Sequence, residues 1–211
     1  FRRRGEYERA VRVHQHLLSR GDLSTDDRHR AQHALALDYL KAGLLDRAEA
    51  ALLKLEGTRF EAQARLALLA NYERSRDWQN AALIAVKLET AGQGSFKGRL
   101  AHYLCEQAAT LVAKQDLQSA QALLLQAIDT APDTPRPRID LAQLQHQQGD
   151  TATAYKTLTE AMMAAPTAVA LIAPQLAAYA IVCKQAAPTL SQLQTIYTHA
   201  PSLDVLDAIV A

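Results

Sequence analysis

The stretch AGLLDRAEAALLKL, Ala42 to Leu55, decides the fold, because four others repeat its grammar. RGEYERAVRVHQHL (4–17), SRDWQNAALIAVKL (75–88), KQDLQSAQALLLQA (114–127) and QGDTATAYKTLTEA (148–161) align with it without gaps. Each opens on small or polar residues, typically with an acid, around Tyr7, Leu45, Trp78, Leu117 or Thr151. Three residues later each has alanine, namely Ala10, Ala48, Ala81, Ala120 and Ala154, at spacings of 38, 33, 39 and 34. Four residues further on stand His14, Leu52, Ala85, Leu124 and Leu158, then after three more Leu17, Leu55, Leu88, Ala127 and Ala161. That i, i+4, i+7 stripe is one face of a helix.

The upstream side repeats as well. Ala36, Leu69, Ala108 and Ala142 each precede Tyr39, Tyr72, Leu111 or Gln145 by three residues, where the repeat's first helix wants a small residue and then an aromatic one. Pro132, Pro166 and Pro201 close three successive units, since proline cannot continue the helix it follows. Earlier units use longer polar connectors such as SRGDLSTDD and TAGQGSFKG, so the extra residues of the 38 and 39 spacings are expected in loops. A period near 34 is that of the tetratricopeptide repeat, a helical hairpin that cannot bury its face alone and stacks on its neighbours. The expected fold is all-α: a tetratricopeptide-repeat solenoid, a right-handed superhelix of antiparallel helix pairs with about five to six repeats.

Residues 1–211 read as one array: a partial repeat at 1–20, repeats near 27–57, 60–91, 99–131 and 134–165, a degenerate one at 168–200, and the start of another at 202–211. Phe1 falls in the aromatic slot of the first, and truncation at both ends predicts exposed apolar surface there.

Composition narrows the function. Net charge is +1, but residues 1–100 hold 18 Lys and Arg against 13 Asp and Glu, leaving 5 against 9 in the remainder. The basic half suits a solvated surface, or a face near anionic lipid or phosphate; RRR at 2–4 lacks the interleaved aromatics of a single-strand nucleic-acid binder. Cys105 and Cys183 are too far apart for a C-x-x-C motif and are expected as buried small apolar residues in a reducing compartment. Ala161 to Cys183 carries no charge over 23 residues, long enough to cross a bilayer, but Pro166 and Pro174 interrupt it and a buried helix pair explains the same run.

No catalytic constellation stands out. His29 and His33 share a helix face at i, i+4, yet Arg30 occupies the place where a zincin needs Glu, and no third ligand is apparent. Cys105 and His102 lie one turn apart without an oxyanion donor or orienting carboxylate. GQGSFKG at 92–98 follows no strand and lacks the G-K-[ST] of a phosphate loop. A solenoid does offer a groove lined by its first helices. The residues expected to face it are Arg30, His33 and Lys41, then Gln63 and Arg74, then His102 and Glu106, then Arg136, Asp140, Gln143 and His146. Mixed in sign and rich in hydrogen-bonding groups, they suit a protein or peptide ligand. The two-carboxylate clamp for chaperone tails is not reproduced, because His33 and Leu37 occupy the corresponding places.

FRRRGEYERAVRVHQHLL, DYLKAGLLDRAEAALLKL and AHYLCEQAATLVAKQDLQSA, in this order and with these spacings, resemble the bacterial lipopolysaccharide assembly protein B family. The resemblance covers nearly the whole chain and weakens after about residue 165. It implies a non-enzymatic adaptor on the cytoplasmic face of the inner membrane, limiting lipopolysaccharide synthesis by helping the FtsH protease degrade the lipid A deacetylase. It also implies an N-terminal membrane anchor and a C-terminal rubredoxin-type metal module, neither within this chain, so no cofactor is expected here. Partners are accordingly proteins rather than nucleic acid, with self-association through severed repeats also open. The alternative is a substrate-recruiting repeat segment of a glycosyltransferase-type protein.

Overall fold

The computed structural model describes residues 5–199 and 201–210. Phe1 and the basic run 2–4, singled out above, lie outside the described residues. Among the described residues there are twelve α-helices, no strand, and a 3-10 turn at Pro166–Ala168. The chain divides into two compact units, Phe1–Phe96 and Lys97–Ala211.

The first unit holds α1 (Tyr7–Leu18), α2 (Thr25–Ala42), α3 (Leu45–Leu53), α4 (Glu61–Ser75) and α5 (Trp78–Thr90). Each helix packs on its neighbour in sequence, and α2 also touches α4. The second unit holds α6 (Lys97–Ala113), α7 (Leu117–Thr130), α8 (Pro135–Gln147), α9 (Thr151–Ala164), α10 (Val169–Val182), α11 (Ala186–His199) and α12 (Leu203–Val210). Here too successive helices pack, with α6 against α8 and α10 against α12 in addition. Contact between helices two apart is what the first helices of consecutive hairpins make, and it builds a shared face.

One turn closes the first helix of every hairpin. Gly43, Arg76, Gln115, Gly149 and Lys184 all adopt positive φ, between 57° and 89°. In each, the residue after the turn donates its N–H back to a carbonyl of the last helical turn: Leu44 to Tyr39, Asp77 to Tyr72, Asp116 to Leu111, Asp150 to Gln145, Gln185 to Ala180. This Schellman-type closure satisfies carbonyls that a helix end leaves orphaned. In three hairpins the acid noted in the repeat starts the second helix: the carboxylates of Asp77, Asp116 and Asp150 accept from the N–H groups of Asn80, Ser119 and Thr153. Lys184 carries the same turn into the hairpin whose sequence reads as degenerate.

The recurring alanines are where the backbones meet. Ala36, Ala48, Ala81, Ala108, Ala120, Ala142 and Ala154 are all buried, as are Leu52, Leu55, Leu88, Leu124 and Leu158 of the stripe. Each buried leucine contributes roughly 2 kcal/mol of apolar burial. Gln145, in a slot that holds tyrosine in α2 and α4, is accommodated because Thr157 donates to its Oε1 at 2.8 Å. His14 departs from the stripe for a related reason: its Nδ1 lies 2.5 Å from Oδ2 of the buried Asp38 on α2.

Two expectations need correction. The extra residues of the longer spacings do not all lie in loops: α2 and α6 run to 18 and 17 residues, against 15 in α4 and 13 in α8. Cys105 is buried, but Cys183 is only half-buried, because it caps the end of α10 with its Sγ 3.6 Å from the Thr151 carbonyl. Among the described residues no single helix is long and apolar enough to cross a membrane. Thr151–Ala164 and Pro166–Val182 meet that test of length and composition together, bent by 115°. Ile172, Ala173, Leu176 and Ala180 of this run are buried in the second unit, whereas Leu171, Ile181 and Val182 are exposed.

Candidate functional site

The shared face of α6 and α8 brings together five residues expected in the groove: His102 and Glu106 on α6, and Arg136, Asp140 and Gln143 on α8. Spacings of three and four keep each set on one side of its helix. Arg136 holds the cluster. Its Nη2 donates to Glu106 Oε1 at 2.7 Å, its Nε lies 3.4 Å from Asp140 Oδ2, and its Nη1 donates to His102 Nδ1. That last contact uses the imidazole nitrogen as an acceptor, which puts the ring proton on Nε2.

Burial raises the Asp140 carboxyl above its ordinary range, with Arg136 pulling the other way. Burial also weakens the charged form of Arg136, but its bond to Glu106 and the Asp140 charge outweigh this and raise its pKa. Behind them sits Cys105, its thiol pushed up to about 12 by burial first and then by the Asp140 charge. A nucleophilic cysteine needs the opposite environment, so pairing with His102 does not activate this thiol.

Beside the charged rim opens a cleft of about 230 Å³, floored by Ala108, Val112, Leu124 and Leu144, with Gln143 and Gln147 at its edge. An apolar floor with amides and charges along one side takes an apolar side chain and hydrogen-bonds the backbone that carries it. Among the described residues no group of three or more His, Cys, Asp or Glu is placed to hold a metal ion.

The remaining expected residues are dispersed. Arg30 is exposed and paired with Asp26 and Asp27 of its own helix at 3.3 and 3.4 Å. His33 stacks on Phe60 at 5.5 Å between centroids. Lys41 and Gln63 are exposed. Arg74 donates to the Leu40 carbonyl and so ties α4 to the end of α2. His146 stacks on Tyr179 at 4.6 Å and pairs with Thr151 Oγ1 at 2.9 Å. Sequence reasoning missed the link between Cys105 and Asp140, which lie 35 positions apart and meet only through packing.

Among known proteins, residues 111–176 match the tetratricopeptide repeat family. The chain is 34% identical over 159 residues to lipopolysaccharide assembly protein B of Escherichia coli strain K12, covering 75% of this chain and 41% of that protein. The Haemophilus influenzae protein of the same name is 30% identical over the same share of the chain and 40% of its own length. The resemblance read from the sequence therefore holds, and the chain spans about two fifths of the length of these curated relatives. Among solved structures, the tetratricopeptide-repeat protein YrrB, described as having an unusual peptide-binding site, covers 98% of both chains at 15% identity and a TM-score of 0.47. MamA covers 82% of this chain and 94% of its own at 13% identity and a TM-score of 0.48.

Proposed function

We propose that this chain, a tetratricopeptide-repeat scaffold similar to lipopolysaccharide assembly protein B, acts without catalysis of its own as an adaptor that docks protein partners on the first-helix face of its repeats. The observation that carries the reading is the Arg136 cluster on α6 and α8, polar and half-exposed beside an apolar cleft. The relatives' name supports a setting in lipopolysaccharide assembly; within it, the proposed role is control of lipopolysaccharide synthesis at the cytoplasmic face of the inner membrane, with a substrate-recruiting segment of a glycosyltransferase-type protein as the alternative. The partners are then the FtsH protease and the lipid A deacetylase, with the membrane anchor and any metal module belonging to other parts of a longer protein. His146 is proposed to extend the docking face beyond the cluster within the second unit, and Arg30, His33, Lys41 and Arg74 are proposed as partner-contacting residues of the first unit by itself.

The test is capture of purified deacetylase and purified FtsH by the full-length protein and by its Arg136→Glu and Gln143→Ala variants. Charge reversal at Arg136 places three acids together and is expected to weaken capture of at least one partner about tenfold. Undiminished capture of both by a folded Arg136→Glu variant refutes the assignment of this face.

A further inference from the structure

The Phe1–Phe96 unit contains a second, larger groove on a different set of helices. It measures about 800 Å³ and lies between α1 and α3 with α2 as its floor. Its lining includes three cations, Arg28, Arg47 and Lys54, and no carboxylate. Arg47, Ala50, Ala51 and Lys54 occupy i, i+3, i+4 and i+7 of one stripe, so the two charges stand over a small-residue strip facing the groove. Both side chains are exposed and neither is engaged by an acid among the described residues. Arg28 is fixed in place, donating to the Leu18 and Arg20 carbonyls at 3.1 and 3.0 Å.

Four nearby acids are engaged elsewhere. Asp38 meets His14, Glu49 accepts from Tyr72 at 2.7 Å, Asp22 is held by Arg20 at 2.6 Å, and Asp26 is shared by Arg30 and Arg59. The groove is thus a concentrated positive surface in a chain whose net charge is only +1.

The uncharged groups distinguish the kind of anion. Gln15 Nε2 donates to the Tyr39 hydroxyl and Gln32 Nε2 to the Ala51 carbonyl, both at 2.9 Å. Each amide nitrogen spends one of its two hydrogens this way, leaving a second N–H and the side-chain carbonyl on each glutamine, while the Tyr39 hydroxyl still has its own hydrogen to donate. The lining thus offers donors alongside its acceptors, and a fully ionised phosphomonoester leaves those acceptors unused. A peptide supplies backbone N–H groups to them and acidic side chains to the cations, and the apolar contribution of Leu18, Leu35 and Tyr39 suits its aliphatic residues.

We propose that the groove of α1, α2 and α3 docks an acidic, extended segment of a partner protein, independently of the α6 and α8 face. The probe is a fluorescently labelled peptide of alternating Glu and Leu, its anisotropy followed on addition of the full chain, with a Lys–Leu peptide as counterpart. Binding of the Glu–Leu peptide is expected to fall with added salt and about tenfold in the Arg47→Glu/Lys54→Glu variant, while Arg136→Glu retains it. Circular dichroism establishes that the double variant is folded, since both positions are exposed. Parallel arms use phosphatidylglycerol vesicles and inorganic phosphate. The proposal is overturned by absence of Glu–Leu binding, by equal binding of the Lys–Leu peptide, by undiminished binding in the folded double variant, or by displacement of the peptide by phosphate. Vesicle binding that is lost in the double variant, with no peptide binding, assigns the groove to lipid headgroups instead.

Discussion

The hairpin turn can be tested by making opposite changes at two equivalent positions and reading opposite signs. Gly149 and Gln115 both end a first helix in the second unit, at φ of 89° and 63°. An L residue held in the left-handed region costs about 1–2 kcal/mol through its Cβ, whereas glycine loses roughly 0.5–1 kcal/mol more backbone freedom on folding. A Cβ built on Gly149 meets nothing within 4 Å, so Gly149→Ala adds backbone strain alone. The difference leaves Gly149→Ala destabilising by about 1 kcal/mol. Gln115 is exposed, and replacing it with glycine reverses the balance to a gain of about 0.5–1 kcal/mol. Urea unfolding followed by far-ultraviolet circular dichroism reads this as midpoints displaced in opposite directions at unchanged slope, with thermal shifts of about 4 °C per kcal/mol. If Gly149→Ala is neutral or both variants move the same way, left-handed strain does not govern these turns.

His14→Leu restores the apolar stripe that the sequence repeats, yet it takes a hydrogen-bonding partner from the buried Asp38 carboxylate. It is expected to destabilise by about 2 kcal/mol in the same unfolding assay, where a gain in stability would show that the pair costs more than it contributes. A thiol reagent at pH 8 is expected to modify Cys183 quickly and Cys105 only upon unfolding, because burial raises the Cys105 pKa to about 12 from 9.0. The elevation also sets a pH dependence. With the folded value above the unfolded one, the contribution of Cys105 is whole below about pH 9 and is lost as pH rises toward about 12, which unfolding midpoints across that range measure.

Much of this molecule is legible in one dimension because its strongest constraints are local or periodic. Alanine at one register position is required where two backbones meet, and every repeat must satisfy that requirement again, so the period survives even where other positions drift. The acid after three of the turns is visible for the same reason, as the cap of a helix whose bonded N–H is only three residues away. Arg76, Gln115 and Lys184 conceal the turn they make, since nothing in their chemistry announces a positive φ that glycine shows openly at 43 and 149. Register also nominated both Arg74 and Arg136, but could not separate them. One is committed to the Leu40 carbonyl, and the other reaches Glu106 and borders a cleft.

The sequence alone determined the all-helical hairpin, its packing alanines and its period, because these follow from helix geometry repeated along the chain. Tertiary structure alone decided which charges remain available. Asp38 and Glu49 are occupied while Arg47 and Lys54 are not, a distinction that depends on distances between helices and on no spacing along the chain.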